Sequence, residues 1–199
     1  DPDALPGVTL PVLRALRDTA RKLQAKDGPQ WPSRAVGEAP RPRRMAGMPL
    51  SADDLCQELV RPLTRHSKSS LAGEIDGSAT GRATVYVSYA RATPFEDVVD
   101  AVEDAADGRR VPPGALFFLD VLCTSQWSDP DRPETWWAVA LPGAMRGVST
   151  ALLVLSPWEA PLALSRAWCL FEVFCASLAE DAKVVVELPP REAAVLASE

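Results

Sequence analysis

Four short apolar runs, separated by longer segments with helical spacing, constrain the fold of this 199-residue chain most strongly. The runs lie at residues 83–89, 115–120, 150–155 and 183–188. They are rich in Val, Leu and aromatic residues and contain few charges, which is typical of strands buried on both faces. Such strands alternating with helices favour a parallel sheet with helices on both sides. We therefore predict an α/β domain with a doubly wound parallel sheet.

The segments between these runs carry the periodicity of helices. Residues 95–106 alternate apolar side chains such as Val98 with a series of acids, as in an amphipathic helix. Residues 134–146 are also predicted to be helical. Residues 161–179 predict the longest helix of this region, with Pro161 suited to its first turn.

The first 82 residues lack this alternation. Residues 8–25 fit an amphipathic helix, and residues 28–49 contain five prolines, which exclude a regular helix or a central strand. Ser51 is a good N-cap for a helix that ends near residue 60. The predicted organisation is an N-terminal helix with a Pro-rich basic linker (1–49), a helical lead-in (50–82), the α/β domain (83–190) and a C-terminal tail (191–199).

Charge is distributed unevenly along the chain. Residues 1–49 carry nine basic and five acidic side chains, whereas residues 50–199 carry twelve and twenty-two. The net charge of −6 does not favour a nucleic-acid partner. We call residues 1–49 the basic arm and residues 50–199 the acidic body. Three alternatives remain open for the basic arm: it could contact the acidic body, bind a separate acidic partner or form a solvated tail.

The four cysteines show no CxxC pair and no disulfide-like spacing, so we expect small buried thiols in a reducing compartment. This expectation favours a cytoplasmic protein, with import into an organelle left open. No apolar run reaches the ~18 residues that a membrane span needs. The single histidine leaves too few soft ligands for a structural zinc site.

One carboxylate, Glu172, lies inside the apolar segment 168–174 of the last long predicted helix. Ionised carboxylates are costly to bury, so Glu172 needs either a partner or a chemical role. In open α/β sheets, ligands bind beyond the carboxyl ends of the strands. The loop that follows residues 150–155 and leads to this helix is therefore a natural place for a site.

These residues resemble a TIR (Toll/interleukin-1 receptor) domain. The matching segments are 85–89, 117–120, 153–156 and the Trp-Cys-Leu-x-Glu element at 168–172. The resemblance covers about residues 83–190. It extends to a divergent group found in algae and related protists, in which a preceding helix is similar to residues 53–62.

The resemblance implies a flavodoxin-like fold and two kinds of function. Many such domains are self-associating interaction modules, and others hydrolyse NAD+ with the glutamate of the Trp-Cys-Leu-x-Glu element, which is Glu172 here. A carboxylate can stabilise the oxocarbenium character that develops as the nicotinamide–ribose bond breaks. NAD+ would then be a substrate, and we expect no cofactor and no bound metal.

The candidate substrate-binding residues surround this glutamate. Trp168 lies four residues before Glu172 and hence on the same helix face, where it could stack on a base or on the nicotinamide ring. The others end the predicted strands at the ligand edge or follow them directly, and they are Ser88, Tyr89, Arg91 and Asp120. The alternative role of Glu172 is a buried ion pair with Arg166 or Arg91.

Three positions depart from the family pattern. Arg166 stands where plant-type members have serine, residues 90–94 replace an Arg-Gly-acid turn, and the loop 121–127 lacks the usual glycine. We therefore expect first a protein-interaction or assembly module that binds a protein partner or itself. NAD+ hydrolysis by Glu172 is the alternative.

Overall fold

The computed structural model describes residues 4–28, 44–127 and 136–199. Its strands are β1 (Pro6–Thr9), β2 (Thr80–Arg82), β3 (Val85–Ser88), β4 (Leu116–Phe118), β5 (Thr150–Val154) and β6 (Lys183–Glu187). Its α-helices are α1 (Leu10–Gln24), α2 (Ala52–Leu55), α3 (Arg61–Leu63), α4 (Leu71–Glu74), α5 (Phe95–Asp107), α6 (Asp120–Cys123), α7 (Trp136–Met145), α8 (Ala167–Ser177) and α9 (Pro190–Leu196). A π-helix (Cys56–Val60) joins α2 to α3.

The strands form one six-stranded sheet in the order β2-β1-β4-β3-β5-β6. The four neighbouring strands β4, β3, β5 and β6 are parallel, whereas β1 runs antiparallel to both β4 and β2. The parallel part follows the strand order 2-1-3-4 of a flavodoxin-like sheet. The predicted α/β class and the four predicted strands of the parallel sheet are therefore confirmed, each strand within a few residues.

The N-terminal residues contribute a strand as well as a helix. We expected a helix from residue 8, but Val8 is fully buried and pairs with Phe117 and Thr80, and the helix begins at Leu10. Gly7 permits this pairing, since a Cβ there would lie 2.9 Å from the Cα of Ala83. Residues on both sides of the expected boundary at 83 thus belong to one sheet.

Ion pairs join the basic face of α1 to the acidic face of α5. Arg17 contacts Asp100 and Glu103, the latter at 2.6 Å. Arg14 donates to Glu103 at 2.7 Å and Arg21 lies 3.2 Å from a carboxylate of the same helix. Of the three alternatives for the basic arm, contact with the acidic body is confirmed for this described part.

Arg44 is the one arginine of the Pro-rich segment 28–49 that lies within the described residues. Its guanidinium is buried, pairs with Glu58 at 3.0 Å and donates to the backbone carbonyls of Leu23 and Lys26. It therefore ties the end of α1 to the π-helix. The other part of the predicted Pro-rich linker, residues 29–43, lies outside the described residues.

Two predictions near the C-terminus were wrong in detail. The helix expected over 161–179 is divided into a 3₁₀-helix (Leu162–Ser165) and α8, because Arg166 adopts an extended backbone between them. The expected tail contains α9, which starts with a proline in its first turn. Arg191 of α9 donates to Asp97 of α5 at 2.8 Å, which docks this helix on the domain.

The lead-in helix begins as predicted, with Ser51 and Asp54 forming a reciprocal capping box. Helix α7 lies within the predicted range 134–146. Among the described residues, no helix combines the length and the apolar character needed to cross a membrane.

The structure predicts that Arg17 contributes more to stability than its neighbour Arg21. The side chain of Arg17 is 14% exposed and that of Arg21 is 48% exposed, so water screens the first less. We expect Arg17→Ala to lower the free energy of unfolding by about 1 kcal/mol, and Arg21→Ala by about 0.3 kcal/mol. Urea denaturation at low and high salt measures both, and equal effects would contradict the α1–α5 interface.

Candidate functional site

A cavity of about 240 Å³ lies beside the carboxyl end of β3. The chain leaves this strand for β4 on one side, and β5 lies on its other side, so the cavity is near the topological switch point of the sheet. The lining residues are Val87, Tyr89, Arg91, Asp120, Arg166, Trp168, Cys169 and Glu172. Five of the six predicted site residues therefore line one cavity, and the sixth, Ser88, hydrogen-bonds to Glu172.

Two hydroxyl groups from β3 hold the carboxylate of Glu172. The hydroxyl of Tyr86 donates to Oε1 at 2.7 Å, and that of Ser88 donates to Oε2 at 2.6 Å. Tyr86 and Ser88 share a face of the strand because side chains alternate along it. Glu172 is only 5% exposed, so little water reaches its carboxylate. The two protein hydroxyls supply each carboxylate oxygen with a donor in place of water.

The surroundings of Glu172 favour its neutral form. Its pKa is raised from 4.5 to about 7, mainly by burial and also by the charge of Asp120, while the hydrogen bonds from Ser88 and Tyr86 lower it. Within the described ranges, neither Arg91 nor Arg166 forms an ion pair with Glu172. The buried ion pair that the sequence left open is therefore wrong for both arginines.

Arg91 is instead bound to a different group of acceptors. Its Nε donates to Asp120 at 2.7 Å, its Nη2 donates to Gln126 at 2.9 Å, and its Nη1 lies 3.6 Å from Asp53. Tyr89 donates its hydroxyl to the other oxygen of Asp120 at 2.7 Å. This network fixes the loop after β3 against the start of α6, and it compensates the charges of both Arg91 and Asp120.

Trp168 and Arg166 form the exposed part of the cavity lining. The Trp168 side chain is 40% exposed and packs against Phe171 with ring centroids 5.6 Å apart. Arg166 is exposed and directly precedes α8. An aromatic face and a cation are thus available to a ligand that reaches toward Glu172.

Sequence reasoning missed Tyr86 as a site residue and did not include Cys169 in the cavity wall. Tyr86 could have been found from strand alternation, since it lies two residues before Ser88, which was predicted. Its ring stacks on Phe118 at 4.9 Å, which orients the hydroxyl. Burial and the charge of Glu172 raise the pKa of Tyr86 well above its usual value, so it stays a hydrogen-bond donor.

The site can carry out the chemistry of a single carboxyl group. A group with a pKa of about 7 exchanges protons near neutral pH and suits general acid–base catalysis. In its ionised form it stabilises a nearby positive charge. Among the described residues, no three His, Cys, Asp or Glu side chains form a cluster that could hold a metal ion.

Comparisons with protein-family models, with curated proteins and with solved structures find no match to this chain. The resemblance to TIR domains therefore stays a prediction that rests on the motif residues themselves.

Replacing Glu172 by glutamine is expected to stabilise the protein at alkaline pH. At pH values between 4.5, the ordinary pKa of the group, and about 7, its pKa in the folded protein, the folded protein binds more protons than the unfolded chain. Its stability therefore falls as pH rises through this range, by up to about 3 kcal/mol in total. Glutamine has the shape of the protonated acid and does not ionise.

We expect the free energies of unfolding of Glu172→Gln and the unsubstituted protein to agree near pH 4.5 and to diverge up to pH 8, with the variant more stable. Thermal or urea unfolding at several pH values measures the difference. A variant less stable at pH 8 would show that Glu172 is ion-paired.

Proposed function

We propose that this protein hydrolyses the bond between nicotinamide and ribose in NAD+, with Glu172 as the catalytic carboxylate. One observation carries the proposal. The carboxyl group of Glu172 lies in a cavity at the ligand edge of the sheet and has hydroxyl partners but no cationic partner among the described residues. A carboxylate that serves only to fix the fold would be expected to pair with an arginine.

The reaction needs few protein groups because neutral nicotinamide is a good leaving group. As the carbon–nitrogen bond breaks, its electron pair goes to the nicotinamide nitrogen, and positive charge develops on the ribose ring. Ionised Glu172, oriented by Tyr86 and Ser88, stabilises that charge. Water then adds to the ribose carbon, and its proton passes to Glu172 and on to solvent.

The cavity is large enough to take part of a dinucleotide if NAD+ is the substrate. Its volume of about 240 Å³ is just below the ~300–1,000 Å³ of typical ligand pockets, so nicotinamide and its ribose would occupy it while the remainder lies outside. The exposed face of Trp168 is available to stack on the nicotinamide ring. The Arg91–Asp120 pair holds the wall beside Tyr89 in place.

Nicotinamide release from NAD+ is expected to require Glu172 in its ionised form. Because the pKa of Glu172 is about 7, kcat/KM should rise about tenfold from pH 6 to pH 8. Glu172→Gln should lower it by at least about a hundredfold. Chromatographic detection of nicotinamide, at protein concentrations high enough to allow self-association, measures both effects.

Glu180→Gln is the matched control, since Glu180 is exposed just beyond the same helix and should leave the rate unchanged. Glu172→Gln is expected to be at least as stable as the unsubstituted protein, so its loss of activity would not reflect unfolding. Absence of nicotinamide release at every protein concentration would contradict the hydrolase proposal.

A second function, assembly with a protein partner or with another copy of the chain, is favoured by the exposed face of α8. Leu170, Phe174 and Leu178 recur every four residues and are 49%, 57% and 66% exposed. Val184 and Val186 of the edge strand β6 are also exposed. Exposed apolar side chains on one helix face mark interaction surfaces. The two functions are compatible because none of these five residues lines the cavity, although other residues of α8 do.

Phe174→Ser is expected to weaken this assembly. Light scattering coupled to size-exclusion chromatography should show a mass that rises with concentration for the unsubstituted protein and a smaller rise for the variant. Leu63→Ser is the matched control, because Leu63 is 58% exposed on α3. A monomeric mass at all concentrations, with no change in either variant, would count against self-association.

A further inference from the structure

Arg166 differs from the other arginine of the cavity because it has no ion-pair partner among the described residues. Arg91 is bound by Asp120 and Asp53, whereas Arg166 forms no ion pair within the part of the chain that the structure describes. Arg166 is exposed, lines the cavity and stands two residues before Trp168. An exposed guanidinium is easily solvated when no ligand is present, so this arrangement costs little stability.

The charges around the cavity leave an excess of positive charge at this arginine. Arg91 and Asp120 compensate each other, and Glu172 is partly neutral near pH 7. Burial raises the pKa of the Cys169 thiol to about 11, and the charge of Arg166 opposes that rise. Arg166 and Cys169 line the same cavity, so an anionic part of a ligand bound there would lie near the positive charge of Arg166.

We propose that Arg166 binds a phosphate group of the ligand, so that the site takes phosphorylated nicotinamide nucleotides and discriminates against the unphosphorylated riboside. This inference rests on the proposed hydrolase function. A guanidinium offers two parallel donors to phosphate oxygens, which gives both affinity and orientation. With nicotinamide at Trp168 and its ribose at Glu172, the phosphate attached to the same ribose would be within the reach of Arg166, which lines the same cavity.

The test compares three substrates that share the bond to be broken. Nicotinamide mononucleotide and NAD+ carry phosphate, whereas nicotinamide riboside does not. We expect kcat/KM for the mononucleotide to exceed that for the riboside by about ten- to a hundredfold, the usual contribution of a hydrogen-bonded ion pair. Arg166→Gln, which removes the charge, should bring the two values close together by lowering the mononucleotide value.

Arg65→Gln is the matched control, since Arg65 is also exposed but does not line the cavity. It should preserve the preference. Equal kcat/KM values for mononucleotide and riboside in the unsubstituted protein, or an unchanged preference in Arg166→Gln, would overturn the phosphate site and leave the hydrolase proposal intact.

A binding experiment separates failure of this inference from failure of the proposed activity. Calorimetry with nicotinamide mononucleotide and with nicotinamide riboside measures affinity without turnover in Glu172→Gln. Tighter binding of the mononucleotide that disappears in Glu172→Gln/Arg166→Gln supports the phosphate site even if no variant releases nicotinamide. Equal affinities for the two ligands would refute it. A titration with inorganic phosphate alone tests whether the phosphate group is sufficient for binding.

Discussion

The hydrogen bonds from Tyr86 and Ser88 to Glu172 are the interaction on which the site depends. They connect the central strand β3 to α8. Because the two hydroxyls satisfy both carboxylate oxygens, the fold can bury Glu172 without a counter-ion. The consequence is a carboxyl group that is oriented but easily protonated, which is the state that acid–base chemistry near neutral pH requires.

Several other described arginines form ion pairs with acids. Arg17 binds acids of α5, Arg44 binds Glu58, and Arg91 binds Asp120. Each pair stabilises a boundary between elements. Within residues 4–28, 44–127 and 136–199, Arg166 is the arginine of the cavity lining that forms no ion pair. Glu172, in contrast, has two hydroxyl partners and no cationic partner among the described residues.

The sequence predicted the parallel sheet well because its strands are apolar runs bounded by polar segments. It missed β1 and β2, which have four and three residues, too few for a periodic signal, and β1 continues directly into α1. Tyr89 and Asp120 were predicted from the rule that ligands bind at strand ends. The sequence could not predict that Arg91 pairs with Asp120 and not with Glu172. The pairing depends on distances that are defined only by the packing of the loop after β3.

The protonation of Glu172 is the most direct test of this view of the site. The carboxyl resonance of Glu172, assigned by its absence in Glu172→Gln, can be followed by carbon-13 NMR as a function of pH. We expect a titration midpoint near 7, because burial without a cationic partner raises the pKa. A midpoint at or below 4.5, the ordinary value, would mean that a positive charge compensates Glu172 in solution, and it would contradict an uncompensated catalytic carboxylate.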